Sequence, residues 1–262
     1  MKKLLSLILP LFLIVACGSG KYNANKLMNY TDINEMFNTP KKYNGKSLQI
    51  SGKIFEEPKV DKDQVTLKVW RDFEGANQLF IVKGTTKDVL AKDDYIKLEG
   101  VVSGELKDKN KVGGEILLPQ IDAVKIEKAT YIDAVAPTIK EYEVNKTITQ
   151  HKISQTIEKI EFAEKETRVY FKIVNNSKEK FNFYTYHTKA IIDGKPYGVV
   201  DNIYNEYEKI NSELLPNATT TGVVVLNPIQ DYDGKNIRIT TEGYSYDYNL
   251  HFKANTFNII LK

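Results

Sequence analysis

From Ser47 onward, apolar side chains recur at every second position in short runs, and seldom at helical spacing. SLQISGKIF (47–55) sets Leu48, Ile50 and Ile54 against polar partners, and QVTLKVW (64–70) does the same with Val65, Leu67 and Val69. QLFIVKG (78–84), DYIKLEGVVSGEL (94–106) and GEILLPQIDAVKIEKA (114–129) continue the pattern. A period of two belongs to strands with one buried face. Short strands divided by turn residues predict a mainly β protein. No self-similar short repeat appears, which argues against solenoids and propellers.

Before these strands, TDINEMFNTPKKYNGK predicts a short helix. Thr31 or Asp32 caps it, Glu35 stands three after Asp32, and Pro40 ends it. TTKDVLAKDD (85–94) reads as a helical or turn connector. Five strands in this order, Gly52 in the first long strand, a connector after the third, then IKLEGVVSG and a final P-x-I-x-A-x-x-I run, resemble an OB-fold over about Lys41–Lys128. A small closed barrel needs glycine where its strands bend sharply. The barrel domain is assigned to 30–130, and YIDAVAPTIKEYEVNK (131–146), weakly periodic and holding Pro137, is read as a linker.

Residues 147–262 carry a second set of about seven strands. RVYFKIVNN runs into an Asn175-Asn176 turn, FNFYTYHTKAIID forms one strand before the hairpin dipeptide Asp193-Gly194, and ELLPNATTTGVVVLNPI leads into Val223–Leu226. NIRITTEG and NTFNIILK complete the set, which suggests a β-sandwich. VYFKIVNNSKEKF, IIDGKPY and LLPNATTTGVVVLN are similar to an immunoglobulin-like domain of bacterial lipoproteins and secreted antigens. Asn217 stands where many such domains have glycine. That family, largely of unknown function, implies an interaction or spacer role.

The N-terminus, MKKLLSLILPLFLIVA, has a charged start and an apolar stretch shorter than the roughly 20 residues of a spanning helix. It is read as a signal peptide, 1–16. Ile14-Val15-Ala16-Cys17 resembles the bacterial lipobox, which implies cleavage before Cys17 and a diacylglycerol on its sulfur. Two chains suffice for stable membrane anchoring. Residues 17–29 read as a flexible tether. Abundant Lys, Asn, Ile and Tyr suggest an AT-rich Gram-positive bacterium, and hence the outer face of the plasma membrane. A periplasmic or outer-membrane site is the alternative. With no cysteine other than Cys17, the mature chain lacks disulfides, cysteine metal sites and a cysteine nucleophile.

The formal charge of +3 falls to 3 − 2 = +1 without Lys2 and Lys3. Residues 46–130 hold fifteen basic and fifteen acidic side chains, and 131–262 hold sixteen and seventeen. Nucleic-acid binders concentrate basic charge, so the balance argues against such a partner. No G-x-S-x-G, H-E-x-x-H, EF-hand or P-loop pattern occurs, and His151, His187 and His251 are the only histidines. DYDGKN (231–236) reads as a polar turn. No catalytic residue, metal or cofactor is assigned.

The binding candidates are aromatic. In FNFYTYH, Phe181 and Phe183 face one way and Tyr184 and Tyr186 the other. Tyr244, Tyr246 and Tyr248 would share a strand face, with Tyr204 and Tyr207 nearby. Such rows are either core packing or an exposed surface suited to protein or sugar. Trp70 either fills the barrel or lies on the face OB-folds use for ligands. The expectation is a non-catalytic, lipid-anchored binding or scaffolding protein of the envelope, with a protein or glycan partner. The alternatives are a barrel that binds single-stranded nucleic acid or oligosaccharide, and a hydrolase with an atypical site.

Overall fold

The computed structural model describes residues 21–71, 78–109, 113–200, 206–245, 247 and 251–262. The protein is mainly β, as expected, and divides into two compact units, the first ending at Lys128 and the second beginning at Ala129. Cys17, Tyr204, Tyr246 and Tyr248 lie outside the described residues, as does all of 1–20, which holds the expected signal peptide and the first four residues of the expected tether.

The first unit opens with α1 (Tyr30–Asn38). Its cap is Asn29, one position outside the expected Thr31 or Asp32, and the Asn29 side chain accepts from the Asp32 amide at 2.8 Å. A 3-10 turn (Pro40–Tyr43) leads to β1 (Ser47–Ile54), β2 (Lys59–Asp61), β3 (Gln64–Trp70), β4 (Leu79–Gly84), β5 (Tyr95–Lys109) and β6 (Glu115–Ala129). The connector 85–94 holds turns and no helix. Strand order is β1-β5-β6-β4-β3-β2, with β4 parallel to β6. β1 also pairs with β3, Lys53 opposite Trp70, which closes the sheet on itself. Leu48, Ile50, Leu67, Val82, Ile96 and Ile121 fill the interior, and Met36 of α1 packs into the same cluster. At Gly52 a Cβ would stand 2.6 Å from the Trp70 carbonyl oxygen, so the β1–β3 closure requires glycine there.

The second unit begins with α2 (Tyr131–Val135), whose Thr130 hydroxyl accepts from the Asp133 amide, and continues with β7 (Thr138–Gln150), β8 (Ile153–Ala163) and β9 (Thr167–Asn175). The stretch 131–146 is therefore a helix and most of a strand, not a linker. β7 is an edge strand that buries only Tyr142, and register shifts between Thr138 and Lys140 and between Glu143 and Lys146 break its period. An edge with so few inward positions shows little alternation.

Next come β10 (Phe181–Phe183), β11 (Lys189–Ile192), β12 (Lys195–Gly198), β13 (Glu213–Leu214), β14 (Thr219–Leu226), β15 (Asn236–Thr241), β16 (Gly243–Ser245) and β17 (Asn255–Ile260). They form sheets β14-β9-β8-β7, β12-β11-β15-β17 and β13-β10-β16. One core, with Phe162, Phe171, Phe181, Ile239 and Phe257 at 0% exposure, joins them. FNFYTYHTKAIID is thus two strands in different sheets, split by a 3-10 turn at Thr185–His187. The Asp193-Gly194 hairpin forms, with Ile192 opposite Lys195, and Asn217 takes φ 60°. No helix among the described residues is long and apolar enough to cross a membrane.

Candidate functional site

Phe181 and Phe183 are buried as β10 strand residues, and the 3-10 turn that follows lifts Tyr184 and Tyr186 out of the sheet. Tyr184 is 39% exposed and Tyr186 70%. Tyr244, opposite Asn182 on β16, stacks on Tyr184 at 5.3 Å and 24° between planes. His187 lies on Tyr184 at 4.9 Å, and its Nδ1 is 2.8 Å from a Glu242 carboxylate oxygen. Both members of that pair are about half exposed. Three of the five tyrosines expected to mark a binding surface therefore meet here, and the other two are Tyr246 and Tyr248.

Tyr184 and Tyr186 rim a groove of about 510 Å³, within the range of small-ligand pockets. Val223, Val224 and Val225 of β14 line it together with Phe183, and the opposite wall brings Lys209, Ile210 and Ser212. That wall is pinned to β14. The Val223 amide donates to the Glu208 carbonyl (2.8 Å), Thr221 Oγ1 donates to Glu208 Oε1 (2.8 Å), and the Asn211 amide donates to Thr220 Oγ1 (3.0 Å). A Cβ on Gly222 would stand 2.5 Å from the Ile210 nitrogen, so glycine lets the wall lie against the strand. At the other end, the Val200 amide donates to the Val225 carbonyl at 2.9 Å.

Beneath the wall lies a polar cluster that the alternation pattern did not mark. Arg168 on β9 has no exposed surface. Its guanidinium donates to Glu161 (2.8 Å), Glu166 (2.8 Å), the Ala136 carbonyl (2.8 Å), Thr138 Oγ1 (2.6 Å) and Tyr207 Oη (3.1 Å). Tyr207 Oη donates to Glu166, and its ring meets that of Tyr131 edge-on at 5.4 Å. Burial pushes the Glu161 carboxyl up, but hydrogen bonds from Lys159 and Arg168 and the arginine charge outweigh it and hold the group at about 2. Burial, then the bond to Glu166, pushes the Tyr207 hydroxyl well above its ordinary range. Two carboxylates beside one buried cation satisfy it only because hydroxyl and carbonyl groups complete the set. Of the two glutamates in the turn before β9, Glu164 is exposed and Glu166 is buried.

In the first unit, Trp70 points to the outer side of the closed sheet, since Val65, Leu67 and Val69 take the inner side of β3. Its ring meets Phe55 edge-on at 5.8 Å, and Lys68 Nζ lies 5.6 Å from the Phe55 centroid. Lys68 is bonded to Asp108 at 2.8 Å, and Arg71 donates to Asn34 and Gln78 at 2.6 Å each. The Asp231–Gly234 turn is tied down by Lys235, 2.6 Å from both Asp193 and Asp231. His151 Nε2 lies 3.2 Å from the His251 carbonyl. Among the described residues no group of three or more His, Cys, Asp or Glu is placed to hold a metal.

No protein-family model matches the chain, and no curated protein matches it. Among solved structures it is similar to a functionally unknown protein from Listeria monocytogenes EGD-e, with a TM-score of 0.38 and 10% identity over 48% of this chain and 88% of that one. A likeness so slight does not bear on function.

Proposed function

We propose that the chain is a lipid-anchored, extracytoplasmic binding protein without catalytic activity, built from an OB-like barrel and an immunoglobulin-like sandwich. The OB reading is supported by the pairings of the first unit: β1 with β3, β3 with β4, β4 parallel to β6, and β5 with β1. The sandwich reading is supported by two four-stranded sheets over one core. The lipid anchor rests on the lipobox-like Ile14–Cys17. The observation that carries the binding role is the tyrosine-rimmed groove, whose lining is aromatic and aliphatic with a few polar groups at its edge.

Two measurements test this. Changing Cys17→Ser should move the protein from the membrane fraction to the medium. The full-length protein in detergent should bind isolated cell-envelope material, and Tyr184→Ala with Tyr186→Ala should abolish that binding. Envelope binding that is indifferent to both tyrosines would remove the groove from the account.

A second reading places single-stranded nucleic acid on the barrel, favoured by the outward Trp70 beside Phe55. It requires binding that weakens steeply with salt and quenches tryptophan fluorescence. The engagement of Lys68 by Asp108 weighs against it.

A further inference from the structure

We propose that the groove of the second unit is a saccharide site, taking one or two pyranose units of a neutral glycan chain. This rests on the binding role proposed above and names its ligand class.

Three observations lead there. The lining combines an apolar set, Val223 to Val225 with Phe183, and a polar set, Tyr186, Lys209, Ser212 and His187, whose Nδ1 is 2.8 Å from Glu242. A sugar presents that division, with C–H faces that lie on aromatic and aliphatic surface and hydroxyls around its rim that need partners. Secondly, among the described lining residues Lys209 is the one lysine, arginine or carboxylate, and His187 is engaged by Glu242, so a ligand carrying several charges would find little compensation. Thirdly, the strand edge of β14 is taken. The Val223 amide and Val225 carbonyl are bonded to Glu208 and Val200, so an extended peptide could not add across them as a strand.

In this arrangement Tyr186 is the stacking platform, its ring 70% exposed at the rim. Tyr184 is held between Tyr244 and His187 and supports the rim. His187 and Glu242 supply a donor and an acceptor for adjacent hydroxyls, and Ser212 supplies a group that both donates and accepts.

The test is calorimetric titration of the full-length protein in detergent with cellotriose and with the trimer of N-acetylglucosamine. At least one trimer should bind saturably. Tyr186→Ala should weaken it about tenfold or more, as removal of a central aromatic contact does, and His187→Gln should weaken it less. The circular dichroism of both variants should match the parent. Should neither trimer bind while envelope material still binds through Tyr184 and Tyr186, the saccharide proposal is overturned and the binding role stands. Should nothing bind, both fall. Trimer binding that Tyr186→Ala leaves unchanged also overturns the site.

Discussion

Eleven polar or charged residues are buried among the described ones, and Ser47 alone belongs to the first unit. The first unit fills its interior with aliphatic side chains and keeps its ion pairs, such as Lys68–Asp108 and Lys107–Glu115, on the outside. The second unit instead encloses Arg168 with Glu161, Glu166 and Tyr207. The first unit therefore depends on shape and apolar area, which tolerate small substitutions. The second depends at one point on a set of charges that must remain complete. Arg168 joins the groove wall, through Tyr207, to the segment that opens the unit, through Ala136 and Thr138.

The largest expected effect tests that contrast directly. Arg168→Ala strands two buried carboxylates, and loss of one partner from a buried ion cluster costs about 3–5 kcal/mol. Trp70, the only tryptophan, reports the first unit. Far-ultraviolet dichroism should therefore show an earlier melting phase while the tryptophan transition stays in place. A shift of both transitions together would break the comparison.

Acid is the next probe. The folded-state Glu161 carboxyl titrates near 2, below its ordinary 4.5. Its contribution is fully present above about pH 4.5 and is lost as pH falls toward 2. Between those values the dichroism transition should fall faster than the tryptophan transition. Glu161→Gln should flatten that difference.

In the first unit, Ile96→Val removes one methylene from a fully buried position and should cost about 0.5–1.5 kcal/mol. Here tryptophan fluorescence moves and the second phase does not. Smallest of all, Tyr186→Ala should change stability by less than about 0.5 kcal/mol, since the ring is exposed, while ligand binding carries the loss.

The same contrast explains what could be read from the chain. Leu48, Ile50, Val65, Leu67 and Val69 alternate because each faces an apolar interior, so five of the six strands of the first unit were visible in order, and β2, three residues all exposed, was not. β7 was not, because Tyr142 is its one buried residue and two bulges disrupt its spacing. The tyrosine cluster was half legible. Alternation put Phe181 and Phe183 on one side and Tyr184 and Tyr186 on the other, but the 3-10 turn at Thr185–His187, and not a strand face, exposes the two tyrosines. The groove's opposite wall was invisible, because Glu208 reaches β14 through the Val223 amide, Asn211 through the Thr220 hydroxyl and Ile210 over the bare Gly222. Arg168 sits in RVYFKIVNN with nothing local to distinguish it from a surface arginine. Its partners lie 7 and 2 residues away on the same hairpin and 39 residues away at Tyr207.

The untidy edge of the second unit has a consequence for crowding. β7 offers its outer side to solvent with Lys140, Glu141 and Glu143 exposed along it, and its bulges leave no long straight ladder for a neighbouring chain to extend. Irregular, charged borders of this kind resist edge-to-edge aggregation. Copies packed at high density would slide past one another at β7 without zipping together into fibrils.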